Sequence, residues 1–233
     1  MVKLANNISD TVIRRMPVYH RYLEELILKG IKRISSQDLS EITGFSASQI
    51  RQDLNNFGGF GQQGYGYNTD ELKKQIDLIL GVNKSYNTVL IGAGRLGSAI
   101  ARYRGFRKSG FNIKALFDLK KLPPLEGIPV FAMDMLKDFI KNNNIQVAII
   151  TVPKSQAETV LHDLVDAGIR GIWNFSPIDL KAPKGIIVEN IRLNDSLLIL
   201  SYYMKNMEAK EWLYISLHKI TFNKIITEYL IFL

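Results

Sequence analysis

The chain contains no cysteine. Disulfide staples, thiolate nucleophiles and thiolate metal ligands are therefore excluded. Its three histidines, His20, His162 and His218, lie far apart and show no metal-ligand spacing. The N-terminal MVKLANNISD has no apolar core of the kind a secretory leader needs, and the chain is read as cytoplasmic. No internal repeat and no low-complexity tract occurs. The most apolar stretch is the tail WLYISLHKITFNKIITEYLIFL (212–233). Lys219, Lys224 and Glu228 interrupt it, so it reads as an amphipathic packing helix or an unordered end rather than a membrane span.

What is present suits a soluble globular protein of two small domains, or of one domain plus an accessory module: 233 residues, 46% apolar and 22% charged. The net charge of +8 is compatible with a polyanionic partner. Its distribution says less. Residues 1–85 carry eleven Lys/Arg against nine Asp/Glu, and residues 86–233 carry nineteen against thirteen. Any DNA reading must rest on where the charges sit.

The first part has helical periodicity. PVYHRYLEELILKG puts Tyr19, Tyr22, Leu23, Leu26 and Ile27 on one stripe, with Pro17 at the expected helix start and Gly30 at its stop. SSQDLSEITG supplies a Ser35 or Ser36 cap, inward Leu39 and Ile42, and a Gly44 stop. SASQIRQDLNNF follows, with Ser46 as N-cap and Ile50, Leu54 and Phe57 as the apolar face. GGFGQQGYGY (58–67) is half glycine and reads as a hairpin. A fourth helix, TDELKKQIDLILG, has Thr69 as expected cap and Leu72, Ile76, Ile79 and Leu80 inward.

Short helix, turn, helix and glycine loop make a winged helix-turn-helix pattern. The third helix would enter the major groove. Its expected outward residues, Ser48, Gln49, Arg51, Gln52 and Asn55, suit base edges and phosphates, and Ser46 joins them as a candidate contact. Arg14, Arg15 and Arg21 would approach the flanking backbone or the minor groove, and Tyr65 and Tyr67 in the wing would pack or touch the sugar-phosphate. A helical bundle with a solvated polar face is the plainer alternative.

From Thr88 the pattern alternates strand and helix, which predicts a doubly wound parallel sheet. GAGRLG (92–97) fits G-x-G-x-x-G in the required context, after an apolar strand and opening a helix. Gly92 permits the tight turn, Gly94 the approach of the pyrophosphate, and Gly97 close packing of helix on strand. Ala93, Arg95 and Leu96 complete the turn, whose N–H groups face an anion. Asp118 ends the second strand, where its carboxylate would accept ribose hydroxyls and repel a 2′-phosphate, so NAD(H) is expected over NADP(H). Thr151, Val152 and Pro153 end one later strand, and Asn174, Phe175, Ser176 and Pro177 another. Together they are expected to surround the nicotinamide half. A dehydrogenase would need a substrate domain and an acid/base, and too little chain remains for them. The dinucleotide is therefore expected to be sensed rather than used.

The order of these motifs resembles the redox-sensing transcriptional repressor family Rex of bacteria. The resemblance is carried by RRMPVYHRYLEEL, SSQDLSEITGFSASQIRQDL, GGFGQQGYGY, TVLIGAGRLGSAIARY, ALFD, ITVP and GIWNFSP, and spans about residues 8 to 207. It implies a homodimer that holds a palindromic DNA operator when NADH is scarce and leaves it when NADH is abundant. It also implies that the helix within SLLILSYYMKN (196–206) swaps across the dimer. The bare sequence requires only that Leu197, Leu198, Leu200, Tyr203 and Met204 be buried. Two departures stand out. The wing reads Gln62–Gln63 where the family often carries basic residues. Arg192 occupies a position where the family tends to place an acidic residue coupled to a tyrosine and an arginine, here Tyr103 and Arg21; Asp195 lies one helical turn on.

The charge of the ring is expected to supply the switch. NAD⁺ is positive at its nicotinamide and NADH is not, so a ring pocket of Tyr103, Val152, Phe175 and Pro177 would penalise the oxidised form. The expected organisation is a DNA-binding domain over 1–81, a linker over 82–87, an NAD(H)-binding Rossmann-like domain over 88–190, a dimerisation helix over 191–207 and a tail over 208–233. Metal and membrane are not expected as partners. The rivals are a sensor of another nucleotide such as CoA, and an NAD-dependent oxidoreductase with a helical N-terminal module.

Overall fold

The computed structural model describes residues 8–58, 60 and 65–207. The tail 208–233 and the wing residues Gln62–Gln63 lie outside the described residues. The chain forms two units, each with its own core: residues up to Tyr86 together with Arg104–Asn112, and Asn87–Tyr103 together with Ile113 onward.

In the first unit, helix α1 (Asp10–Leu28) begins earlier than the sequence pattern predicts, and Pro17 lies inside it. Ser9 caps the start by accepting from the Val12 N–H. The stripe Val12, Met16, Tyr19, Leu23, Leu26 is buried along the whole helix. Its burial outweighs the single backbone bond that proline removes, and the ring sits on the exposed side. Helices α2 (Ser36–Thr43) and α3 (Ala47–Asn55) follow. Ser35 caps α2 in a reciprocal box with Asp38, and Gly44 ends it at φ 78°. Leu39 is buried as expected, whereas Ile42 faces outward. Ser46 caps α3, accepting from the Gln49 N–H at 3.2 Å.

The wing differs from a self-contained hairpin. Strand β2 (Tyr67–Asn68) pairs antiparallel with β1 (Arg33–Ile34), a two-residue strand ahead of α2. Gly66 is required there, because a Cβ on it would sit 2.6 Å from the Ile34 carbonyl oxygen. Asn68, not Thr69, caps α4 (Thr69–Leu80). Thr69 is buried and donates instead to the Ile31 carbonyl at 2.7 Å.

The second unit carries a sheet of β3 (Tyr86–Ile91), β4 (Phe111–Asp118), β5 (Val130–Ala132), β6 (Val147–Ile150), β7 (Gly171–Asn174) and β8 (Ile187–Asn190). Their spatial order is β5-β4-β3-β6-β7-β8, the doubly wound order that reverses between β3 and β6. The pairs β3–β6, β4–β5, β6–β7 and β7–β8 are parallel. Strand β3 takes up Tyr86 and Asn87 from the predicted linker, with the Tyr86 N–H on the Gly110 carbonyl at 2.8 Å. The helix that the glycine turn opens stops at Tyr103, giving α5 (Arg95–Arg102), and a separate short helix, α6 (Gly105–Lys108), follows. Helices α7 (Leu136–Asn142) and α8 (Lys154–Asp166) complete the cover, and α8 buries Ala157, Val160, Leu161 and Leu164 in the sheet core.

The last described helix, α9, spans 193–207. Leu193, Leu197, Leu198, Ile199, Leu200, Tyr202, Tyr203, Met204 and Met207 on it are 53–69% exposed. Each large apolar side chain left in water forgoes about 1.5–3 kcal/mol. A helix apolar around its circumference needs cover that the described residues do not provide.

Candidate functional site

In the sheet unit, β3 and β6 end side by side at Ile91 and Ile150, beside the point where the strand order reverses. Gly92 turns the chain at φ 97°, and Gly94 opens α5 as its N-cap. A Cβ on Gly97 would lie 1.9 Å from the Gly92 carbonyl oxygen and 2.8 Å from the Thr151 hydroxyl, so α5 approaches the turn as closely as a backbone can. A Cβ on Gly94 would meet no atom within 4 Å, which leaves open the face where a pyrophosphate must come close.

Two side chains brace this turn. The Thr151 hydroxyl donates toward the Gly92 carbonyl at 2.7 Å and lies 3.0 Å from that of Ile91. Asp118 accepts the Ala93 N–H on one oxygen at 2.7 Å and the Lys120 N–H on the other at 2.8 Å. A carboxylate has about four acceptor positions, so it retains capacity for a ribose diol. These residues fit a dinucleotide: backbone N–H groups at a helix start, an uncrowded glycine and an acidic strand end. A cleft of 540 Å³ adjoins them, lined among others by Gly92, Gly94, Asp118, Thr151, Val152 and Pro153. It runs on along α8 past Ser155, Gln156 and Thr159, which the sequence did not single out. Arg95 and Leu96 are exposed on the first turn of α5.

The second predicted strand end is built differently from expectation. Asn174 is fully buried; its amide donates to the Ile178 carbonyl and to Asn190, and its oxygen accepts the Ser176 N–H. The buried Ser176 hydroxyl donates to the Val152 carbonyl at 2.7 Å. Both therefore tie the ends of β6, β7 and β8 together instead of offering polar atoms to a ligand. Phe175 is half-buried with its ring edge-on to Trp173 at 4.6 Å, and Pro177 is exposed. Tyr103 ends α5 at 61% exposure. Of the predicted ring pocket, only Val152 lines the cleft. Arg192, where the resemblance led to an acidic residue, pairs with Asp179 at 2.6 Å.

In the helical unit, Ile50, Asp53 and Leu54 of α3 face inward. Ser48, Arg51, Gln52 and Asn55 are exposed, and Gln49 is half-buried. The exposed face of α3 thus carries no acid. The Arg51 guanidinium donates to the Ser36 hydroxyl at 2.8 Å, so it rests across the start of α2. The Ser46 and Ser48 hydroxyls pair at 3.0 Å. Arg14 is exposed beside Asp10 at 2.6 Å, and Arg21 lies over the Tyr22 ring. Tyr65 is exposed under the guanidinium of Arg33, a cation by the wing that the sequence pattern did not flag.

Arg15 departs from expectation. Its guanidinium grips Asp53 with two bonds, of 2.6 and 2.7 Å, and only 14% of its side chain is exposed. It faces the core of the unit, not its surroundings.

A helix-turn-helix unit with an acid-free outward helix, joined in one chain to a braced phosphate turn, defines a nucleotide-responsive DNA-binding regulator. Comparison with known proteins agrees and is more specific. Residues 7–55 match the family described as "Putative DNA-binding protein N-terminus", and residues 83–178 match the CoA binding domain family. The redox-sensing transcriptional repressor Rex of Clostridioides difficile (strain 630) is 59% identical over 204 residues, 85% of this chain and 96% of that protein. The Rex of Thermoanaerobacter sp. (strain X514) is 54% identical over 206 residues, 86% and 91% of the two chains. The crystal structure of RSP, a Rex-family repressor, has a TM-score of 0.83 at 50% identity over 89% of this chain and 98% of that one. RSP in complex with beta-NAD+ and operator DNA gives 0.82 at 52% identity, covering 89% and 97%. RSP with beta-NADH gives 0.82 at 49%, covering 88% and 98%.

The chain belongs to the Rex family of redox-sensing transcriptional repressors. It is a regulator by kinship with these repressors, not an enzyme. Among the described residues no helix is long and apolar enough to cross a membrane, and no cluster of three His, Asp or Glu is placed to hold a metal.

Proposed function

We propose that this chain is a cytoplasmic NADH-responsive repressor, which binds a palindromic operator as a homodimer when NADH is low and is released when NADH binds. The observation that carries the reading is the Gly92–Gly97 turn, braced by Thr151 and Asp118, in the same chain as the acid-free face of α3. The solved relative bound to NADH, and to NAD+ with operator DNA, supports both ligands.

The backbone N–H groups of the turn and the start of α5 hold the pyrophosphate, with Arg95 adding positive charge beside it. Asp118 accepts the ribose hydroxyls and disfavours a 2′-phosphate. Val152 and Pro153 wall the ligand in the cleft, and Phe175, Pro177 and Tyr103, which lie outside the cleft lining of this structure, are assigned to the nicotinamide half on the resemblance alone. An apolar ring site penalises the charged ring of NAD⁺. A hundredfold preference for NADH supplies about 2.7 kcal/mol to shift the conformational equilibrium. Ser48, Gln49, Arg51, Gln52 and Asn55 read the major groove, and Arg14, Arg21 and Tyr65 approach the sugar-phosphate backbone. The exposed apolar surface of α9 is covered by a second copy. NADH changes the spacing of the two α3 helices, so that half-sites roughly 34 Å apart no longer match.

A CoA-type ligand is the competing reading, favoured by the family match over residues 83–178. A mobility-shift experiment with NADH, NAD⁺, NADPH and CoA in parallel separates them. Release by NADH alone is expected. Release by CoA alone would transfer the function to that ligand, and release by NADPH as readily as by NADH would remove the role given to Asp118.

A further inference from the structure

The one charged residue on the inward face of α3 is Asp53, which is 2% exposed. It receives three bonds from α1: two from the Arg15 guanidinium, at 2.6 and 2.7 Å, and one from the Tyr19 hydroxyl at 2.7 Å. Tyr19 is itself fully buried, and burial pushes its hydroxyl well above the ordinary tyrosine range, with the bond to Asp53 adding to the effect. It therefore stays a donor. Phe45, in the turn between α2 and α3, meets the edge of the Tyr19 ring at 5.7 Å, and the Arg15 guanidinium lies over Phe45 at 5.9 Å. The cluster thus holds α1, the turn and α3 at one point.

A buried ion pair is a poor way to gain stability. Apolar residues of similar volume often serve as well, although removing one partner alone is costly. What the pair adds is direction. Arg15 is a planar fork and Asp53 a two-toothed acceptor, so their contact fixes rotation as well as distance. An apolar contact at the same place would allow α3 to roll. At 3.6 residues per turn, Asp53 lies roughly 160° around α3 from both Arg51 and Asn55. The anchor therefore stands almost opposite the exposed polar face. A recognition contact must hold its geometry to about 10–20°, which is the slack that such a fork removes.

We propose that Arg15, Tyr19 and Asp53 form a positioning clamp, which sets the rotation of α3 and so the discrimination between operator and near-operator DNA. This rests on the reading of α3 as the DNA-reading helix. Arg15 serves it from inside the unit instead of by touching a phosphate.

The test uses the full chain and two duplexes, a palindromic operator and the same duplex with one base pair changed in each half-site. In Arg15→Met/Asp53→Leu the charges are replaced by apolar side chains. The variant is expected to keep its circular dichroism and its heat of NADH binding, while the ratio of its two DNA affinities falls about tenfold. A merely structural role would not move that ratio in a folded protein. A folded double variant with the wild-type ratio overturns the clamp. Arg15→Lys, which keeps the charge and loses the fork, decides the matter where the double variant does not fold. Its ratio is expected to fall about threefold, and an unchanged ratio overturns the clamp equally. Tyr19→Phe should fall between wild type and Arg15→Lys. If the wild-type chain showed no preference for any palindrome, the functional reading itself would fail, and the clamp with it.

Discussion

The two units place their working helices by opposite means. In the helical unit, α3 is held by charge: a buried carboxylate gripped by a guanidinium and a phenol. In the sheet unit, α5 is held by the lack of a side chain, since Gly97 brings it against the Gly92 carbonyl with no room for a Cβ. A clamp made of side chains can be weakened by degrees. A contact between backbones yields only if the backbone moves. The helix proposed to discriminate among DNA sequences is held by directional bonds between side chains, while the helix that opens the glycine turn is set by a contact of backbone on backbone.

The sharpest way to break this comparison is Gly97→Ala. Its Cβ would have to displace backbone, so NADH binding should weaken by more than about 100-fold, enough to remove the shift of populations that NADH drives. Operator binding should persist and no longer respond to NADH. Calorimetry giving an NADH affinity within threefold of wild type would show that α5 is not set by this contact. Next in size is α9. Leu197→Asp with Leu200→Asp should make the chain monomeric in sedimentation and cost about 100-fold in operator affinity, because two linked half-site contacts become one. A dimer that survives would place the interface elsewhere. Arg51→Ala should cost about 1–3 kcal/mol in operator binding, with the heat of NADH binding unaltered.

The smallest effect is one of pH. The folded form holds the Tyr19 proton more tightly than the unfolded chain does, because burial raises its value above the ordinary 10.0. Stability from this group is complete below pH 10 and is lost as pH rises beyond it. Tyr67 is raised by burial as well, so Tyr19→Phe should flatten the alkaline fall in melting temperature without abolishing it.

The same contrast explains what could be read from the sequence. Glycine reports a constraint at its own position, so Gly92, Gly94 and Gly97 could be assigned from spacing alone. So could Asp118, at the end of an apolar strand. The clamp was opaque because Arg15 and Asp53 are 38 residues apart, and an arginine in a run of exposed charges looks like a surface group. One signal was available: Asp53 sits on the same stripe as Ile50, Leu54 and Phe57, where a carboxylate needs a partner. Pro17 misled for a related reason. Proline is a local breaker, whereas the helix start is decided by burial of the whole stripe from Val12 to Leu26. Strand β1 is two residues long and has no period to detect. Asn174 and Ser176 were placed correctly at a strand end, but which way a polar side chain turns there depends on Asn190 and Val152, partners set by the sheet and not by neighbours in sequence.

The central claim is that the redox state of a nicotinamide, felt in the sheet unit, governs the grip of α3 on DNA. It is tested most directly by holding total nicotinamide dinucleotide constant, varying the ratio of NADH to NAD⁺, and following the anisotropy of a labelled palindromic duplex. The bound fraction should fall steadily as the NADH share rises, and full NAD⁺ should leave the complex intact. A bound fraction that stays level across the series, or equal release at both extremes, would contradict the account.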